Sequence, residues 1–180
     1  MHQMLGLQRG TVKLLPYNHA WATLFETERT RLQQALGADA LDIQHVGSTA
    51  VPGLAAKPIL DLGIAVAADS VVAACIPRLI ALGYAYRGYR GPDQGHFFDR
   101  GPEQHLTHYL HVMRIRDPGW WNYLRFRDYL RAHPAARDAY LRLKEELAAQ
   151  YGADRAAYSA AKSMFIQQIL ALAPPLSLAE

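Results

Sequence analysis

The chain has 180 residues, 51% of them hydrophobic and 19% charged, which is enough apolar material for one globular domain or a domain with a helical extension. The formal net charge of +3 is mildly basic, and the arginines are spread among acids rather than gathered in a tail, so a phosphate-bearing small ligand is favoured over a nucleic-acid groove. The single cysteine, Cys75, excludes an internal disulfide and a Cys-rich zinc module, and MHQMLGLQRG lacks a leader-like core; a reducing cytoplasm and no membrane partner are expected.

In chain order, residues 11–16 (TVKLLP) read as a short edge strand ended by Pro16. Asn18 caps a predicted helix to about Leu36, in which Trp21, Leu24, Phe25, Leu32 and Leu36 recur at helical spacing, and Gly37 closes it. Leu41 to Val46 reads as a strand running straight into Gly47. The run ILDLGIAV (59–66) has the continuous apolar character of a strand buried on both faces, with Asp61 as its sole charge. A helix over 70–82 follows, capped by Asp69 or Ser70 and kinked or broken at Pro77. Residues 84–89, 96–100 and 106–114 read as three strands separated by Gly-Pro turns. The remainder is helical: one segment from Asp117-Pro118 to Ala132, one from His133-Pro134 to about Tyr151, and one from Asp154 to Ala173. The pattern predicts an α/β (α+β) core over 1–116, a mixed sheet flanked by helices, with a three-helix segment over 117–180 packed on it as one domain or two.

The stretch from Gln44 to Val66 carries the chemistry. A strand ending in Gly-Ser and turning into a short helix presents free backbone N–H groups that suit phosphate oxygens. Gly47 allows close approach, Ser48 and Thr49 add hydroxyls, and Lys57 lies on the same loop. Asp61 sits on a buried strand, where a carboxylate needs either a cation or donor groups. His45 can orient the loop or simply pack at the strand end. His105, His108 and His111 are spaced by three, which would align a metal face on a helix; on a strand it puts Thr107, Tyr109 and His111 on one side and His108 on the other. His111 is then the candidate metal ligand or proton carrier, against a plain core histidine. In the helical part, Lys144 follows Tyr140 by four and Lys162 follows Tyr158 by four, so each pair shares a helix face. Arg127, Lys144 and Lys162 are candidate contacts to an anionic ligand, with inter-helix salt bridges as the alternative.

HVGSTAVPGLAAKPILDL resembles the signature of the GrpB family, and the resemblance continues through LLPYNHAW, the LHV at 110–112, FRDYLRAHP, and the Tyr140, Lys144, Tyr158, Lys162 pattern. It implies a nucleotidyltransferase-like fold. In that superfamily a Gly-Ser motif holds nucleotide phosphates, and two acids spaced by two on the next strand, with a third on a later strand, bind a pair of Mg²⁺ ions. Gly47-Ser48 and Asp61 match; the second acid is replaced by Gly63, and His111 stands where the third acid would be. The resemblance therefore implies a nucleotide or related phosphorylated ligand with one Mg²⁺ (or Mn²⁺) at Asp61 and His111, and nucleotidyl transfer if the site is active. The alternatives are a non-catalytic module binding a nucleotide, a coenzyme-A-like ligand or a protein through a decayed site, and a metal-dependent phosphohydrolase.

Overall fold

The apolar runs join into one mixed sheet. In a computed structural model of the chain, which describes residues 5–176, β1 (Asp42–Val46), β2 (Leu60–Val66), β3 (Ala85–Tyr89), β4 (His96–Arg100) and β5 (His108–Arg114) lie in the order β1-β2-β5-β4-β3. Residues 1–4 of the start read above for a leader lie outside the described residues. β2 and β5 run parallel and every other neighbouring pair is antiparallel. β2 and β5, the parallel pair inside the sheet, are buried along most of their length because both of their faces are covered.

Register decides which side chains share a face, since residues paired across strands point to the same side. Asp61 pairs with Tyr109 and Gly63 with His111. Asp99 and Phe97 continue those two rows on β4, and Val46 and Gln44 on β1. One face therefore carries Asp61, Gly63, Tyr109 and His111. The other carries His45, Leu62, His108 and Leu110.

That second face is covered by α1 (Ala20–Leu36) and α2 (Asp69–Ala81), whose Trp21, Phe25, Leu32, Cys75 and Leu79 pack on Leu60, Leu62, Ile64, Leu110 and Val112. Burying such a side chain contributes roughly 1.5–3 kcal/mol. A polar clasp reinforces it: buried Glu28 on α1 accepts from Tyr84 Oη at 2.9 Å, from Arg100 at 2.7 and 2.9 Å, and from Arg31 at 2.8 Å. Asn18 Oδ1 accepts from the Ala20 N–H, and Gly37, at φ +59°, ends α1 as expected.

On the Asp61 face, α3 (Pro118–Ala132) sets Trp120 and Leu124 against Val46, Ala65 and Met113. α4 (Pro134–Gln150), α5 (Arg155–Ala161) and α6 (Ser163–Leu172) complete that side, with Tyr140 packed on Val51, Leu54 and Leu130, and Tyr158 on Val12 and Leu147.

Four local expectations are corrected. Residues 11–16 make only an isolated bridge, Leu15 to Ala56: these two exchange both N–H···O bonds, so the next ladder pairs would be Lys13–Pro58 and Tyr17–Leu54, but Pro58 has no N–H and the Leu54 N–H is donated to the Val51 carbonyl. α2 runs through Pro77 unbroken: Pro77 and Ala73 are both exposed, so the carbonyl left without a donor meets water. Side-chain caps are absent at Asp69 and Asp117; the Asp117 carboxylate turns back to the Arg114 backbone N–H and guanidinium instead. The last predicted helix is two, α5 and α6, divided at Lys162.

Candidate functional site

The site begins where β1 ends. Gly47 adopts φ +67°, and a Cβ there would lie 2.5 Å from Asp61 Oδ2, so only glycine lets the loop pass over the carboxylate. Ser48 opens a short 3₁₀ turn (Ser48–Ala50), and its side chain is hydrogen-bonded to the Tyr140 phenol of α4. The loop is fixed from below by Lys144, whose Nζ donates to the Ala55 carbonyl, and by Arg131, which donates to the Ala50 carbonyl at 2.7 and 2.9 Å.

Around Asp61 the helical segment places cations on aromatic rings. Lys144 Nζ lies 5.2 Å from the Tyr140 ring centroid and Lys162 Nζ 4.3 Å from that of Tyr158, so both i, i+4 pairs do share a face. Lys57 Nζ approaches Tyr158 at 5.7 Å, and the Arg155 guanidinium stacks over Tyr109 at 4.6 Å. Four cations thus face one carboxylate. Burial, then the charges of Arg155 and Lys162, bring Lys57 down to about 7. Burial and Lys162 bring Lys144 to about 7, and burial brings Lys162 to about 8 despite Asp61. Burial also raises Asp61 against the pull of Lys57 and His111. Each of these four shifts disfavours the group's charged form, a pattern that clusters at functional sites.

His111 lies on the same face, diagonal to Asp61, and the two feel each other's charge. Its Nδ1 lies 2.9 Å from the Gln94 carbonyl, which assigns the proton to Nδ1 and leaves Nε2 with a lone pair; burial keeps the ring neutral. The place of the missing acid is closed. A Cβ on Gly63 would stand 3.1 Å from Trp120 Cζ3, and that indole is fully buried. The donor set does not fit a two-ion centre, and among the described residues no group of three or more His, Cys, Asp or Glu side chains is placed to hold a metal. Asp61 and His111 share a sheet face, and a single ion held by them would need its remaining ligands from outside the chain.

The remaining expected site residues divide differently. Gly47, Ser48, Lys57, Asp61, His111, Lys144 and Lys162 meet in this cleft. His45, Thr49 and Arg127 do not. His45 points to the α1 side, stacks on Phe25 at 4.8 Å, and its Nε2 meets Thr49 Oγ1 at 2.9 Å. Burial, with Arg131 and Arg127 nearby, depresses it to about 3, so it is a neutral prop for the loop. Arg127 Nη1 donates to Gln44 Oε1 and to the His45 carbonyl, and its other donors go to Asp128, which makes it a tie between α3 and β1. The three histidines separate as the strand period requires, with His108 bonded to Arg100 on the far face. Arg155 and Trp120 were not legible as members of this cleft. Arg155, Tyr158 and Lys162 do fall at i, i+3, i+7, one helix face, which is the signal that points to Arg155.

Comparison with known proteins accounts for this arrangement. The family model described as GrpB protein matches residues 11–172. The glutamate-rich protein GrpB of Alkalihalophilus pseudofirmus is 34% identical over 171 residues, covering 93% of this chain and 98% of that protein. The UPF0157 protein YqkA of Bacillus subtilis is 38% identical over 140 residues, 78% of this chain; the chain spans only 40% of that relative's length. Among solved structures, the conserved protein GrpB from Enterococcus faecalis superposes with a TM-score of 0.80 at 34% identity, covering 87% of this chain and 94% of that one. The Cid1 poly(U) polymerase with Mg 3'-dATP bound matches with a TM-score of 0.53 at 16% identity over 82% of this chain and 49% of that one, a likeness of fold. The chain has a nucleotidyltransferase-like fold and belongs to the GrpB family.

Proposed function

We propose that the cleft binds the phosphates of a nucleotide or related phosphorylated ligand together with one divalent cation, Mg²⁺ or Mn²⁺. The observation that carries this reading is the charge imbalance: Lys57, Lys144, Arg155 and Lys162 surround Asp61, and the one further acid felt among them, Glu145, acts on Lys144 alone of the three lysines. Phosphate oxygens relieve the mutual repulsion of these cations, and each charge-assisted hydrogen bond contributes about 1.5–3 kcal/mol. The N–H groups after Gly47 and the Ser48 hydroxyl take one end of the phosphate chain. Lys144 and Lys162 reach it from the helices. A cation bound at Asp61 would neutralise charge on the group it bridges to the carboxylate.

Trp120 against Gly63 favours a binding site without a second ion. The alternative, nucleotidyl transfer to an unknown acceptor, is favoured by one feature: burial favours the neutral form of His111, whose Nε2 meets the Tyr123 hydroxyl at the long distance of 3.5 Å and would take the acceptor's proton, while the lysines offset charge on departing pyrophosphate.

Thermal shift separates these readings from a structural role. ATP with Mg²⁺ is expected to raise the Tm of the wild type and to leave Asp61→Ala unmoved; no shift with any nucleotide counts against the reading. Pyrophosphate release from α-labelled nucleotides marks transfer, and binding without release marks the module.

A further inference from the structure

Arg155 is the one cation of the cleft that the sequence pattern does not single out, and its surroundings are the least satisfied in the protein. It opens α5, and three contacts fix it there. Its backbone N–H donates to the Gly10 carbonyl at 3.2 Å, Asp154 caps the helix through the Ala157 N–H, and its guanidinium lies flat over Tyr109. With the side chain held in this way, Nη2 is buried and has no hydrogen-bond partner, alone in that respect among the buried side-chain nitrogens and oxygens of the described residues. Leaving a buried charged donor unmet is costly, and such a group is retained where something else meets it.

Of the acids nearby, Asp61 is shared with the lysines of the cleft. Asp99, which pairs with Tyr109 in the sheet, is taken by Arg9 at 2.9 Å and by Arg87 at 3.0–3.1 Å. A second arginine stands beside the first: Arg90 lies 3.7 Å over the Phe97 ring, Phe97 contacts Tyr109 at 5.2 Å, and the two guanidinium groups are within electrostatic reach of each other. The cations therefore form a row. Lys144 lies next to the Ser48–Tyr140 hydrogen bond, Lys57 and Lys162 share Tyr158, Arg155 lies on Tyr109, and Arg90 on Phe97.

We propose that Arg155, with Arg90 beside it, is the receptor for the terminal phosphoryl group of a polyphosphate whose other end lies at Gly47-Ser48, so that the cleft selects a chain of three phosphates over a single one. This rests on the phosphate-binding reading of the cleft and adds its length and charge requirement. The planar guanidinium suits a terminal phosphoryl group, which offers the most oxygens and charge, and stacking on Tyr109 presents the fork without further loss of freedom.

The test is calorimetric titration of inorganic tripolyphosphate and of orthophosphate, with and without Mg²⁺, into the wild type and into Arg155→Gln, Arg90→Gln and Lys144→Gln. The wild type is expected to bind tripolyphosphate far more tightly than orthophosphate. Arg155→Gln is expected to weaken tripolyphosphate by about 10- to 100-fold and orthophosphate by less than threefold, with Arg90→Gln weakening it in the same sense by a smaller factor. The Tm of ligand-free Arg155→Gln should equal or exceed that of the wild type, because an unmet cation has been removed; a structural arginine would lower it. Arg90 is exposed, so its variant reads out even if Arg155→Gln folds poorly. If Lys144→Gln weakens tripolyphosphate while both arginine variants bind it as the wild type does, this inference fails and the phosphate site stands. If the wild type binds neither probe under either condition, the phosphate site fails and the inference with it.

Discussion

Gly63 and Trp120 decide what Asp61 can do. A side chain at position 63 meets an indole 3.1 Å from its first carbon, so restoring the acid requires displacing a buried tryptophan. Gly63→Asp is expected to lose about 1–3 kcal/mol of stability, by denaturant unfolding, and to bind no second Mn²⁺ by EPR; a second bound ion with unchanged stability would contradict this. Lysine titration gives a second expectation. Lys57 and Lys144 fall to about 7 and Lys162 to about 8, below the 10.5 of an unfolded lysine, so between those values the unfolded chain binds more protons. Stability without ligand should therefore rise from pH 7 towards 10, while affinity for tripolyphosphate should fall over the same range as the amines lose charge. Affinity that is flat from pH 6.5 to 9 would contradict the role given to these lysines. That Asp61, Gly47 and His111 meet in one cleft was legible because the loop glycine is adjacent to the strand and the period of two puts Tyr109 and His111 on one face. Trp120 was not: its closure of Gly63 depends on how α3 crosses the sheet, which no local pattern encodes.

The elements were legible where burial on both faces leaves an unbroken apolar run, as in β2, or where spacing repeats over many residues, as in α1 and α4. They were less so where a single residue interrupts the pattern. The last helix divides at Lys162, whose side chain lies over Tyr158, and residues 11–16 have strand composition but face Pro58 where the partner's next donor should be. His45 and Arg127 were misplaced for a related reason, since the face of a β1 residue follows from its register with β2. Arg127 then belongs to the α3–β1 tie. Replacing it with Met should lower Tm by several degrees and change tripolyphosphate affinity by less than about threefold, consistent with the loss of hydrogen bonds to Gln44 and the His45 carbonyl. The clasp on α1 is stronger. Burial pushes Glu28 up, but Arg100, His108 and Tyr84 together hold it below 4.5, so its contribution is present above that pH and is lost as pH falls through its folded value. Glu28→Ala leaves Arg100 and Tyr84 without their acceptor and is expected to cost about 3–5 kcal/mol in urea unfolding, with a smaller loss at pH 3.

At the scale of the whole molecule, a formal charge of only +3 conceals a local concentration: four cations around one acid between the sheet and the last three helices. The chain belongs to the GrpB family and has a nucleotidyltransferase-like fold, and it brings the Gly47-Ser48 loop, Asp61 and the lysines of the helical segment to one cleft, with an indole packed against Gly63. The most direct measurement is calorimetric titration of ATP with Mg²⁺ into the wild type and into the Lys144→Gln/Lys162→Gln double variant. Saturable one-site binding by the wild type, weakened at least tenfold in the variant, is the predicted result. Equal affinity in both proteins, or no binding by the wild type of ATP or inorganic tripolyphosphate, would contradict it.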